Sequence, residues 1–285
     1  LDLSLINNLN YGESLKIKYK SDEIDQKTFD IALQLPYLFG TALGSTLNLN
    51  IFKKDSTFST AQQAVKLYYQ LDKSQIIGAG IRLQQSYGIS DNIVLAVEDF
   101  DSQFYNLNYS YMERQKKDAL FPIKTQVEIA LAFGKRNGIG SVDQRQLLIK
   151  GSHILNLNLK NSIFLKLHLE ELQSKAYLFN ELLRFGGITS IRGFRENSLF
   201  ATRLGVLCSE YRYRLSPGLF VHSVMDAGYF QDINSTNYQI FGFGFGFGLR
   251  SSGGLLRLTY ANGKNENTSF DFSQSKVHLS FTSVF

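Results

Sequence analysis

Tryptophan is absent from this 285-residue chain, proline occurs 3 times and cysteine once. The single cysteine, Cys208, excludes an intrachain disulfide and a multi-cysteine metal cluster. No apolar run approaches the length of about 18 residues that a membrane-spanning helix needs. No secretory leader is recognisable either, and Leu1 falls in what reads as mid-strand, so a fragment of a longer precursor is expected. The net charge of +5 is spread along the chain without a polybasic tract, which argues against nucleic acid as a partner. The four histidines (His153, His168, His222 and His278) show no ligand-like spacing, so no metal or other cofactor is expected. His278 and Ser280 share a strand face, as do many polar pairs, and no nucleophile, base and acid gather in sequence. An enzyme is therefore not expected.

What is abundant is alternation. In FDIALQL (29–35), Phe29, Ile31, Leu33 and Leu35 share one face and Asp30, Ala32 and Gln34 the other. STLNLNIF, YNLNYSYM, QVEIALAF, ILNLNLK and IFLKLHLE repeat the habit. Period two over so many segments means β-strands with one apolar and one polar face. Fifteen strands are expected, over roughly 1–9, 12–20, 27–36, 43–54, 58–71, 74–87, 101–114, 123–135, 145–159, 161–173, 199–214, 218–230, 239–251, 253–262 and 275–285.

A soluble sandwich hides the apolar face, and a membrane barrel turns it to lipid around a polar lumen. Alternation alone leaves both open. Three details favour the barrel. The strands are long enough, about 9–11 residues, to cross a bilayer when tilted. Tyr68, Tyr69, Tyr105, Tyr111, Tyr211 and Tyr213 lie near strand ends, where an interfacial girdle belongs. The chain also ends on an alternating strand, KVHLSFTSVF, with Val277, Leu279, Phe281 and Phe285 on it. The expected fold is an all-β transmembrane antiparallel barrel. Single-chain bacterial barrels close with an even strand number, so sixteen strands are expected, with the first missing from this chain.

The longest strand-free gap, about 174–198, holds FGGITSIRGF (185–194). Gly186, Gly187 and Gly193 permit positive φ or close backbone approach, folding the loop tightly around one long cation, Arg192. On the next two strands, Glu210 shares a face with Arg212 and Arg214, and Asp226 interrupts an apolar run. A carboxylate is costly on a lipid face, so both acids are expected in the lumen, where Arg192 would meet them. Lys16, Lys18, Arg82, Lys166, Arg212, Arg214 and Arg257 are also read as lumenal. FGFGFGFGLR (241–250) is not a phosphate-binding loop, because it alternates and no helix follows. Its phenylalanines are expected to face lipid and its glycines to leave room inside for the loop.

The SIRGF segment resembles the RGF motif on the inward-folded loop of the BamA/TamA superfamily of outer-membrane insertases and translocases (the bacterial surface antigen barrel domain). NNLNYGESLKIKYK (7–20), LQLPYLFGTALG (33–44), EYRYRL (210–215) and VMDAGYF (224–230) are similar to early strands, a proline turn and the acidic strands after the loop in that superfamily. Five strands follow the loop, as in the superfamily's sixteen-stranded barrel, and the texture is similar to Bacteroidetes members. The resemblance implies a C-terminal outer-membrane barrel over 1–285, with amino-terminal POTRA domains outside this chain. It implies Arg192, Gly193, Phe194 and Gly187 as the loop anchor, with Glu210 and Asp226 as acidic partners. Strand 275–285 would be the β-signal strand at a lateral seam with the first strand. Thr282 and Ser283 depart from the usual pattern there. Implied partners are outer-membrane lipids, client barrels or secreted polypeptides, and accessory lipoproteins, in the outer membrane of a Gram-negative bacterium. Two other functions stay open: a two-partner secretion translocator and a passive porin.

Overall fold

The computed structural model describes residues 2–8, 10–21, 26–89, 97–115, 118–138, 140–265 and 272–282. In chain order the strands are β1 (Asp2–Ile6), β2 (Ser14–Ser21), β3 (Gln26–Leu35), β4 (Leu43–Lys54), β5 (Phe58–Gln70), β6 (Gln75–Gly88), β7 (Phe100–Arg114), β8 (Ile123–Gly138), β9 (Gly140–Asn156) and β10 (Asn161–Ser174). Then follow β11 (Leu183–Phe185), β12 (Leu199–Ala201), β13 (Arg203–Ser216), β14 (Leu219–Gln231), β15 (Asn237–Ser251), β16 (Gly254–Asn265) and β17 (Lys276–Thr282). All but two join one 15-stranded antiparallel sheet in sequence order, and β11 and β12 pair separately. Among the described residues no helix is long and apolar enough to cross a membrane, which leaves crossing by strands untouched.

The sheet is a barrel wrapped around the chain between β10 and β13. In a flat sheet β2 and β17 would lie more than about 60 Å apart, at about 4.8 Å per strand. Yet strands from both edges and the middle touch this one segment. Lys20 on β2 pairs with Glu196 at 3.4 Å, and the Arg184 guanidinium stacks 3.8 Å from the Phe52 ring centroid on β4. Arg136 on β8 bonds Glu181 at 2.6 Å, and the Gly193 amide reaches His278 on β17 at 3.2 Å. Only a curled sheet brings all of these within reach of one loop.

Alternation sorts the side chains as a membrane barrel requires. Val65, Leu67 and Tyr69 on β5 face out, as do Leu131 and Phe133 on β8 and Phe243, Phe245 and Phe247 on β15. The buried set holds Ser86, Ser102, Arg136, Gln144, Arg212 and Asp226. An apolar exterior around a charged interior is the reverse of a soluble core, and hydrocarbon is the solvent that suits it. Tyr69, Tyr105 and Tyr211 face out as expected, but Tyr68 does not. It is buried in the lumen, where its hydroxyl accepts a bond from Gln34 at 3.0 Å, because neighbouring strand residues point to opposite faces.

The interior is not uniformly polar. Phe185, Ile191, Ala201, Leu204, Val206, Cys208, Phe230 and Ile240 form an apolar cluster between the loop and β13–β15. A second cluster joins Leu120, Phe121, Ile154 and Phe220, so the β7–β8 turn also folds inward.

Candidate functional site

The segment between β10 and β13 enters the lumen as a tongue. Its arms pair as β11 and β12 from Leu183↔Ala201 to Phe185↔Leu199. Past Phe185, Gly186 (φ 111°) and Gly187 (φ 86°) reverse the chain. These angles are open to glycine and strained for any residue with a Cβ. A Cβ on Gly186 would also lie 2.5 Å from the Arg195 carbonyl oxygen. At the tip, Ile191 is 0% exposed within the apolar cluster. Burying such a side chain contributes about 1.5–3 kcal/mol.

Arg192 is 4% exposed and is held by both expected acids. Its Nε donates to Asp226 Oδ2 at 2.8 Å and its Nη2 to Asp226 Oδ1 at 2.5 Å, a bidentate pair. Its Nη1 donates to Glu210, and its main-chain amide donates to Asp226 Oδ2 at 3.0 Å. One carboxylate thus fixes both the side chain and the backbone of the tip. Burial works against the charged guanidinium, but the Asp226 hydrogen bond and the charges of Glu210 and Asp226 outweigh it and raise its pKa.

Glu210 is shared further. Arg212 Nε donates to its Oε2 at 2.7 Å, and Arg257 Nη2 to its Oε1 at 2.9 Å. Arg212 also lies 4.0 Å from the Phe164 ring centroid and 4.6 Å from that of Phe121. The sequence reading placed Arg212, Arg214 and Arg257 in the lumen but did not join two of them to Glu210. Arg214 instead pairs with Asp118 at 2.5 Å.

Gly193 (φ 89°) carries the chain past β16, where a Cβ would lie 2.7 Å from the Asn262 carbonyl oxygen. Its N–H donates to His278 Nε2 at 3.2 Å. Phe194 packs on the rim of the apolar cluster. A Cβ on Gly187 would run into Glu196, which closes the turn from the other arm. The glycine face of β15 has the use expected of it: a Cβ on Gly242 would fall inside contact distance of the Arg192 carbonyl. Val277, Leu279 and Phe281 face outward on β17, 57–66% exposed, while Phe285 lies outside the described residues.

A second attachment escaped the sequence reading. The descending arm carries Asn180 and Glu181 in a single 3-10 turn (Phe179–Glu181). The Glu181 carboxylate accepts bonds from Arg136 at 2.6 Å, Gln144 at 2.8 Å and the Leu178 amide at 2.9 Å. Asn180 Nδ2 donates to Ser86 Oγ and to the Glu98 carbonyl, both at 2.8 Å. LFNELL offers no pattern that marks these two as buried; the signal was the charge of Arg136 on the inward face of β8. Among the described residues, no group of His, Cys, Asp and Glu gathers in a metal-binding arrangement.

Solved structures share this arrangement of strands. BamA from Haemophilus ducreyi lacking POTRA domains 1–3 superimposes with a TM-score of 0.69 at 15% identity, over 98% of this chain and 65% of that one. CdiB from Escherichia coli gives 0.66 at 14% identity over 98% and 57%, and CdiB from Acinetobacter baumannii 0.65 at 14% over 92% and 52%. The fold is that of the BamA and CdiB barrels. The likeness expected from the SIRGF segment therefore holds at the level of the fold. The chain spans between about half and two thirds of the length of these proteins. No family model matches it, and no curated protein matches it.

Proposed function

We propose that this chain is the barrel of a Gram-negative outer-membrane protein that inserts or translocates other polypeptides. The observation that carries the reading is the docked tongue. Arg192 is fixed to β13 and β14, while the next residue, Gly193, lies against β16 and bonds His278 on β17. The tongue thus braces the last strand from inside and leaves its outer edge to a client. An open strand edge accepts an incoming strand by β-augmentation. Client strands, membrane lipids and accessory lipoproteins are the partners this mechanism calls for, with no nucleotide or metal, and POTRA domains preceding the barrel fit the same scheme.

The experiment is a disulfide lock. In a Cys208→Ser background, one cysteine on the barrel's first strand and one on β17 are oxidised together, and assembly of client barrels is followed. Assembly that stops on oxidation and returns on reduction supports insertion through the seam; assembly that ignores the lock ends it. The likeness to two CdiB barrels favours a second reading, translocation of one dedicated polypeptide through the lumen. In that case the lock leaves transport intact, and Arg192→Ala alters it.

A further inference from the structure

Between the tongue tip and the walls of β2, β10, β16 and β17 lies a chamber of about 730 Å³. It is far larger than one anion needs and within the range of about 300–1,000 Å³ typical of ligand pockets. Its lining carries five cations, Lys18, Lys20, Lys166, Arg192 and Arg257, against one carboxylate, Glu210. Some of this charge is already matched. Lys20 pairs with Glu196 at 3.4 Å, and the β3 ladder partner of Lys18 is Asp30. Arg192 is taken up by Asp226.

The remainder is not matched. The single charge of Glu210 serves three guanidiniums, those of Arg192, Arg212 and Arg257. Lys166 meets the Thr189 carbonyl, and no carboxylate pairs with it among the described residues. Two buried polar atoms of lining residues, one on β16 and one on the tongue, also lack partners. Arg257 uses Nη2 on Glu210 and leaves Nε without an acceptor. Ser190, 7% exposed, leaves its hydroxyl unused. Buried donors are normally satisfied, and leaving one unmade costs about 1–3 kcal/mol. A guanidinium N–H, a hydroxyl and an ammonium around one roomy space, with positive charge in excess, form a receptor for carboxylates.

We infer that this chamber binds an acidic stretch of polypeptide, with client carboxylates at Arg257, Lys166 and Ser190. The inference rests on the reading that clients are polypeptides, and it assigns them a charge. An acidic segment threaded past the tongue would be held there while the β17 edge, one wall of the same chamber, pairs with the strand that follows.

The test uses the whole chain folded in detergent micelles and two fluorescent peptides of equal length, one rich in glutamate and one with glutamine in its place. At low salt the glutamate peptide binds at least about tenfold tighter than its glutamine counterpart, and the gap closes as salt rises. Arg257→Gln and Lys166→Gln each weaken the glutamate peptide about three- to tenfold. Ser190→Ala, which leaves every charge in place, weakens it by less. Alkylation of Cys208, which is buried against the tongue, reports whether a variant keeps the tongue docked. Equal binding of the two peptides by the unaltered protein overturns the proposal without any variant. Undiminished glutamate binding by the Arg257→Gln, Lys166→Gln double variant overturns it as well. Selective binding in a protein whose assembly activity ignores the disulfide lock upholds the chamber and removes the seam mechanism. Seam-dependent assembly without peptide discrimination does the reverse.

Discussion

The main-chain oxygen of Arg192 occupies the space where a side chain on Gly242 would begin. Arg192 also sits on Asp226, whose ladder partner is Gly242, so the tongue tip lies directly on the β14–β15 pair. Gly242→Ala is therefore expected to lift the tip and cost about 1–3 kcal/mol of tongue docking, the range for overpacking a tight interior. Gly151→Ala, where the new Cβ would meet only the Gln126 carbonyl oxygen at 3.9 Å, is the control expected to change little. Limited proteolysis within 186–198 compares the two. Equal protection in both proteins contradicts the contact.

Removing the Arg192 side chain strands the buried Asp226 carboxylate, while Glu210 keeps Arg212 and Arg257. Breaking a buried ion pair from one side costs about 3–5 kcal/mol. Arg192→Ala should undock the tip while the 15-stranded sheet survives. Arg192→Lys should fall between, because an ammonium cannot form the fork with Asp226. Cys208 is the built-in reporter, since its thiol donates to the Ser190 carbonyl at 2.9 Å beneath the tongue. Its alkylation rate should rise in the order wild type, lysine, alanine. An unchanged rate in the alanine variant counts against Arg192 as the anchor.

The descending arm has its own attachment. Glu181→Ala leaves Arg136 and Gln144 facing each other without the carboxylate they share, and should loosen residues 177–185 by a cost of similar size. The tip and this arm use different strands, so the costs of Glu181→Ala and Arg192→Ala should add within about 0.5 kcal/mol. Hydrogen exchange along 177–198 reads both regions in one experiment. Loss of protection across the whole segment from either single change would show one cooperative unit instead of two.

The outward phenylalanines supply a test of the solvent. Phe245 is 67% exposed in the middle of β15. If it faces hydrocarbon, Phe245→Arg should destabilise the barrel by about 2–4 kcal/mol in a bilayer. In a water-soluble sheet the same exposed substitution would cost close to nothing. Unfolding by denaturant from lipid vesicles separates the two.

Fifteen strands were legible because strict alternation is long-range and redundant: KTQVEIALAF still reads as β8 if one residue is misjudged. The strand pair Leu183–Phe185 and Leu199–Ala201 was not, since three residues carry no measurable period. Asp226 was found because it interrupts an apolar run, Glu210 because it shares a face with Arg212 and Arg214, and Arg192 because glycines frame it in the loop. His278 as the acceptor for Gly193, and Ile191 as the fully buried tip, depend on how the tongue crosses the lumen, which no local pattern records. Tyr68 departs from the strand-end girdle because its parity on β5 points it inward, beside the outward Leu67 and Tyr69.

Along Gly242, Gly244, Gly246 and Gly248, β15 has no side chains on its inner surface, and backbone or rings from neighbouring segments fill the space. The stave and its filling are therefore one part built from distant stretches of chain. A bulkier residue on either is tolerated only if the other retreats, so the tongue tip and β15 are free to vary together but not separately. Grafting the tongue of another barrel into this one would have to bring the matching stave along with it.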